Sequence, residues 1–247
     1  HNLKFDLKVL ARNGFDLNKF TYEDTELLAY CMAYEDLRLK TLETQELNLW
    51  HPSFEDVTTG KENLSEQPIE VVARYCNQDT DATERLWGFL AGKAEPREMK
   101  LYNTIEKPLM PALARMELLG VRVDLDYVRT WDAELKEKFD AVSAQIEAEY
   151  GLTEEVLDKP IQLGAWLRTQ NIKLPKTNSG QLATGKEVLA AHIDKHPAIA
   201  LILQYRQYGK LRTTYANAYL TLTEADGILH PQYSQTNVVT GRTSCSK

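Results

Sequence analysis

Residues 200–215 read ALILQYRQYGKLRTTY, and residues 227–247 read GILHPQYSQTNVVTGRTSCSK. In the first stretch Leu201, Leu203, Tyr208 and Leu211 are spaced to line one side of a helix, with Arg206, Lys210 and Arg212 projecting among them. A turn at Asp226-Gly227 leads into the second stretch, a β-rich run that reaches Thr240-Gly241-Arg242. A cationic helix followed by a strand carrying arginine after glycine suits a phosphate backbone or a groove. Any single arginine in such a run is more often part of a solvated helix face, so the pairing and order of the two segments carry the argument.

At 247 residues the chain has room for one large domain or two modest ones with ample core. Its composition is that of a soluble globular protein, and no apolar run approaches membrane-spanning length. It opens on His1 with no basic-then-apolar secretory leader, which reads as a fragment of a cytoplasmic protein from a bacterial cell or a virus-infected host. Cys31, Cys76 and Cys245 are scattered and read as reduced thiols, neither a disulfide framework nor a zinc site. The net charge of −7 argues against a nucleic-acid partner until its distribution is considered. From Lys159 onward there are 11 Lys and Arg against 4 Asp and Glu, a surplus of +7; residues 1–158 hold 18 against 32, or −14. Such asymmetry points to a nucleic-acid-facing second part.

The two opening segments resemble the bacterial DNA polymerase I family (family A), whose thumb-to-palm segment reads roughly EYR-x-x-x-KL-x-STY, then GRIH, then Q-x-x-x-TGRLSS. The matching residues are Gln204-Tyr205-Arg206, Lys210 to Tyr215, Gly227 to His230, Gln235 and Thr240 to Ser244. Thr243 and Cys245 depart from the usual Leu and Ser, which suits a viral or divergent member. By resemblance, Arg242 reaches the minor-groove side of the primer duplex, and Lys210, Arg212 and Thr214 hold the backbone without reading sequence.

Residues 1–92 form a first unit. His1–Asp6 reads as a strand end or turn leading into a helix over 7–13, with Gly14 as its C-cap. A second helix lies within 20–32, capped by Asp24 or Thr25; residues 51–67, including Thr59-Gly60-Lys61, read as a loop; and Pro68 opens a helix over 69–90. On that last helix Tyr75 and Asp79 are four apart and share a face, which alone would be a packed tyrosine beside an exposed aspartate. Asn2–Asp6 (NLKFD) and Tyr75–Asp79 (Y-x-x-x-D) resemble the second and third motifs of the family's 3′–5′ proofreading exonuclease, an RNase H-like α/β domain. The resemblance makes Asp6 and Asp79 metal ligands, Tyr75 a water-orienting group and Asn2 a supporting contact. Two-metal phosphodiester hydrolysis needs carboxylates that hold two Mg²⁺ about 4 Å apart. The family's first motif, D-x-E, has no counterpart here, so the metal site is incomplete and proofreading by this chain is not expected.

Ala91–Glu98 reads as a linker. Residues 102–124 resemble the entry to the polymerase domain: a helix starting near Pro108 and Pro111, ending at Gly120, then a short strand, all architectural. Residues 126–150 form a long amphipathic helix through Trp131, Leu135, Val142, Ile146 and Tyr150, and Asp158 is the expected cap of the helix after Pro160. Gly180-x-x-x-x-Gly185-Lys186 mimics a phosphate-binding loop, but Glu187 replaces the Ser or Thr that such a loop needs, and no strand precedes it. It matches instead a thumb-tip loop of the family, which makes Lys176 and Lys186 backbone contacts. His192 and His196 lack the glutamate of a zinc helix and read as helix-end residues.

The expected fold is therefore α/β, then mainly α: a partial RNase H-like exonuclease domain (1–92), then the N-terminal part of a polymerase domain (98–247). The latter divides into palm entry (98–125), thumb (126–222) and first palm strands (227–247). The expected function is a monomeric piece of a template-directed DNA polymerase that grips primer–template DNA, with deoxynucleoside triphosphates and the polymerase Mg²⁺ bound outside this chain and no membrane partner. A stand-alone 3′–5′ exonuclease and a non-catalytic DNA-binding subunit of a split polymerase are the alternatives.

Overall fold

The computed structural model describes residues 1–16, 19, 21–58 and 63–246, and by packing they form two compact units, one of residues 1–120 with 230–246 and one of Val121–Leu229. The boundary expected between residues 92 and 98 falls inside the first unit.

The first unit is built on helices α1 (Leu3–Arg12), α2 (Thr25–Cys31), α3 (Leu39–Leu47), α4 (Phe54–Thr58), α5 (Ile69–Lys93), α6 (Pro96–Leu101) and α7 (Lys107–Leu119). Helix α1 begins four residues earlier than expected and takes in the NLKFD motif. Its free N–H groups are capped from elsewhere: Asp24 accepts from the backbone of Asn2 (3.1 Å) and Leu3 (2.8 Å), a contact that local sequence does not announce. Gly14 ends α1 as expected: after the C-cap Asn13 it turns left-handed (φ 82°) and donates to Ala11 O at 3.0 Å, while Phe15 N donates to Leu10 O at 3.1 Å. Asp24 also caps α2, accepting from Glu26 N at 2.9 Å, as expected; Phe20, the first residue of the stretch in which that helix was expected, lies outside the described residues. The stretch 51–67 is not a plain loop, since α4 and a 3₁₀ turn (Leu64–Glu66) occupy part of it, while Thr59-Gly60-Lys61 lies outside the described residues.

The expected linker is largely helical. α5 continues to Lys93, and Glu95 with Glu98 forms a capping box that starts α6 almost at once. Nor does a helix begin at the prolines. α6 runs into a π-helical turn (Tyr102–Glu106) and on into α7, with Pro108 in its first turn and Pro111 inside it. The widened turn sits just before the two residues that lack an N–H, where the α-helical bond pattern is already broken. Leu7, Leu28, Leu42, Leu86, Leu90 and Tyr102 are fully buried in this unit's core, each aliphatic contributing about 1.5–3 kcal/mol. Strands β3 (Gln232–Ser234) and β4 (Ser244–Ser246) return to this unit as an antiparallel pair, Tyr233 opposite Cys245.

In the second unit, β1 (Val121–Arg122) pairs antiparallel with β2 (Ile228–Leu229), which follows a turn at Gly227 (φ 80°) where Asp226 accepts from Ile228 N at 3.0 Å. Between them run α8 (Leu125–Tyr150), α9 (Glu154–Asp158), α10 (Pro160–Thr169), α11 (Lys186–Ala190), α12 (Pro197–Lys210), a second π turn (Leu211–Ala216) and α13 (Asn217–Leu222). α8 matches the amphipathic reading, with Leu135, Val142 and Ile146 buried. α12 packs along it, and a Cβ on Gly209 would meet the Phe139 ring at 3.2 Å, a tight contact that a larger residue could make only if the ring shifted. The buried line of α12 is Ala198, Ile199, Ile202 and Tyr205; Leu201, Leu203, Tyr208 and Leu211 are only half-buried. The core face is thus displaced from the expected one. Asp158 does not cap α10; its carboxylate accepts from Tyr205 Oη at 3.1 Å.

Candidate functional site

In the second unit the residues expected at DNA sort by how much of their charge is spent internally. Lys176 lies in a small hairpin, bridged to Leu182 and closed by Thr177 N donating to Gln181 O at 2.7 Å, with Gly180 at φ 82°. Lys186 is the first residue of α11, Lys210 the last of α12, and Thr214 falls in the second π turn; all four side chains, Lys176 included, are exposed. Arg212 is different. Its Nε donates to Asp132 Oδ1 on α8 at 3.1 Å, and its guanidinium lies 6.0 Å from the Phe139 ring centroid. Arg206 also turns inward, donating to the carbonyl of Thr184, and burial lowers its affinity for a proton. That bond ties the base of the Lys176–Lys186 segment to α12.

Arg242, in the first unit, is exposed, but it stands two residues before β4 in irregular backbone, not on a strand. The loop that carries it is anchored at two points ahead of the arginine. Gln235 is buried and donates to the backbone carbonyl (3.0 Å) and carboxylate (2.6 Å) of Glu106, and Tyr30 Oη donates to Val238 O at 2.7 Å. Gly241 (φ 75°) closes the turn through its N–H to Val238 O.

The exonuclease-like residues are likewise distributed. Asp6 is exposed on α1, and Asn2 sits at that helix's N-terminus. Asp79 faces Tyr75 as expected, and the tyrosine hydroxyl donates to it; burial first, and then the aspartate's charge, push the phenol up to about 12. Asp79 Oδ1 is also held at 2.5 Å by Lys40 Nζ, which no sequence pattern had singled out. Lys40 lies 5.5 Å from the Tyr75 ring centroid and 3.4 Å from Glu43 Oε1, and the other Glu43 oxygen meets His51 Nδ1 at 3.2 Å. Among the described residues no three His, Cys, Asp or Glu side chains converge to hold a metal ion. With an ammonium already on Asp79, the donors present do not fit a Mg²⁺ pair.

A separate ionic centre forms on Glu117, which resembled a family residue and was read as architectural. Its buried carboxylate accepts from Lys4, from Lys8 (2.5 Å) and from Tyr233 N (2.8 Å), while His230 Nδ1 donates to its backbone carbonyl at 2.7 Å. Lys4, the lysine of NLKFD, is therefore committed to packing in this unit.

Comparison with known proteins puts both segments in one class. Residues 125–247 match DNA polymerase family A, and residues 1–95 match the 3′–5′ exonuclease family. The chain is 32% identical over 251 residues to DNA polymerase I of Helicobacter pylori, covering 99% of this chain and 26% of that protein. It is 31% identical over 253 residues to DNA polymerase I of Treponema pallidum (99% and 25%), and 27% identical over 273 residues to DNA polymerase DpoZ of Acinetobacter phage SH-Ab 15497 (98% and 43%). Among solved structures it is similar in fold to the POL domain of Pol1 from M. smegmatis, in complex with DNA primer-template and dNTP. That likeness has a TM-score of 0.79 at 24% identity, over 99% of this chain and 41% of that one. The chain belongs to DNA polymerase family A. It spans about a quarter of the length of the bacterial relatives it matches.

Proposed function

We propose that this chain is the primer–template grip of a template-directed DNA polymerase, the parent protein transferring deoxynucleotides from their triphosphates to a primer 3′ end. On this reading residues 1–92 are the exonuclease-like part and 98–247 the start of the polymerase part. The polymerase catalytic carboxylates and their Mg²⁺ belong to other parts of the parent protein. The supporting observation is the surface of the second unit. From Lys159 to Leu229 it carries 9 Lys and Arg against 4 Asp and Glu. Only Arg206 and Arg212 of the nine are withdrawn from solvent. The exposed lysines, among them Lys176 in the hairpin, Lys186 at the start of α11 and Lys210 where α12 meets the second π turn, present point charges that neutralise phosphates without regard to sequence. Thr214 adds a hydroxyl donor, and Arg242, on its anchored loop, supplies a fork suited to the groove of the primer duplex. Arg212 joins the grip only by exchanging Asp132 for a phosphate.

Fluorescence anisotropy of a labelled primer–template across a salt series tests this. The expected result is duplex binding preferred over single strand, with affinity falling linearly in log–log and a slope of roughly 0.9 per phosphate neutralised. Arg242→Ala and Lys210→Ala should each weaken binding and flatten that slope by about one unit. Absence of duplex binding at low salt, or slopes unchanged in both variants, overturns the reading; a preference for single strand favours a stand-alone exonuclease instead.

A further inference from the structure

We propose that the Lys40 ammonium takes the place of a bound cation on the Asp79 and Glu43 carboxylates, so that the Tyr75–Asp79 pair is closed to divalent metal in this chain. This goes beyond the DNA-grip reading and does not depend on it.

The placement is built, not incidental. Lys40 sits in the first turn of α3 with Glu43 one turn on, and α3 packs along α5, which carries Tyr75 and Asp79. Nζ is fixed from three sides: Asp79 Oδ1 at 2.5 Å, Glu43 Oε1 at 3.4 Å and the Tyr75 ring at 5.5 Å. Glu43 is fully buried, and its Oε1 has no hydrogen-bond donor. That oxygen depends on the ammonium for its compensation, since His51 serves the other one. Two carboxylates around one positive charge are the surroundings a divalent cation would seek. A Mg²⁺ on Asp79, however, needs its oxygens at about 2.0–2.1 Å, and Nζ already occupies that approach. Two cations on one carboxylate oxygen repel each other, and expelling the lysine strips Glu43 of its partner. Lys40 and Asp79 are each only about a quarter exposed.

The test is Mn²⁺ binding followed by electron paramagnetic resonance on the full chain, comparing the parent, Asp79→Asn, Lys40→Met and Lys40→Met/Asp79→Asn. The parent should show no saturable Mn²⁺ site that depends on Asp79. Removing the ammonium should tighten Mn²⁺ binding by on the order of tenfold or more, and Asp79→Asn should abolish the gain. Mn²⁺ held tightly by the parent and lost on Asp79→Asn overturns the proposal, as does a folded Lys40→Met variant with no gain. Should Lys40→Met fail to fold, the parent alone decides through its NMR spectrum. Mn²⁺ that leaves the Lys40 and Asp79 side-chain signals sharp supports the lysine plug, and selective broadening of those signals refutes it.

Discussion

Arg212 Nε and Asp132 Oδ1 are paired at 3.1 Å between the second π turn and α8, so one of the cations expected at DNA is partly spent within the protein. Both side chains are only about a fifth exposed, which places the pair between surface and core. Asp132→Asn and Arg212→Ala should each destabilise the second unit. The double variant should cost less than the sum, with a coupling of about 0.5–1 kcal/mol in urea unfolding. Strict additivity would mean the pair contributes nothing and Arg212 is available for phosphate.

Glu117 sets a pH dependence. Burial, the largest single influence, raises its proton affinity, but Lys4, Lys8 and the Tyr233 N–H together outweigh it and hold the carboxyl below its ordinary value of 4.5. A carboxyl depressed by folding contributes stability that is complete above its unfolded value and is lost as pH falls through the folded one. Unfolding free energy of the parent should therefore decline on acidification below about pH 4.5 more steeply than that of Glu117→Gln, which is already weakened at neutral pH. Parallel pH profiles would remove Glu117 from this role.

Tyr102 is fully buried, accepts from Asp24 N at 2.8 Å and donates to Glu23 Oε2 at 2.8 Å. Tyr102→Phe keeps the ring and strands the Asp24 N–H at the start of α2. A loss of about 1–3 kcal/mol is expected in denaturant unfolding; a change near zero would show that another acceptor takes its place.

The bond from Arg206 to the Thr184 carbonyl fixes the segment that carries Lys176 and Lys186. In Arg206→Met, backbone amides of residues 176–190 should exchange hydrogen faster, while those of α8 stay protected. Uniformly faster exchange across the unit would instead mark Arg206 as a general core residue.

Much of this was legible because it is local. The α8 stripe, the Asp24 cap and the Asp226-Gly227 turn depend on neighbours a few residues away, and the structure has them as read. What was misread depended on distant partners or on helix irregularity. Helix α1 starts early because a carboxylate more than 20 residues away caps it. The prolines sit within a helix because a π turn precedes them, and a second π turn follows the α12 stretch whose buried face was misplaced. In the candidate sites, Tyr75 and Asp79 share a face as their spacing required, but Lys40 reaches Asp79 across 39 residues and Lys4 reaches Glu117 across 113, distances over which sequence pattern carries no register.

The first unit is interrupted: residues 1–120 and the strands beyond His230 fold together, with the whole of Val121–Leu229 intervening. During synthesis the Glu117 carboxylate and its two lysines therefore emerge well before Tyr233 can supply the remaining donor. At ribosomal speeds of about 5–20 residues per second, that wait lasts roughly 5–20 s. The inserted helices can pack in that interval, whereas the surrounding unit stays open at the edge that the late strands will cover. A nascent chain stalled before His230 would thus expose a half-finished ionic centre, the state in which a chaperone or protease would meet it.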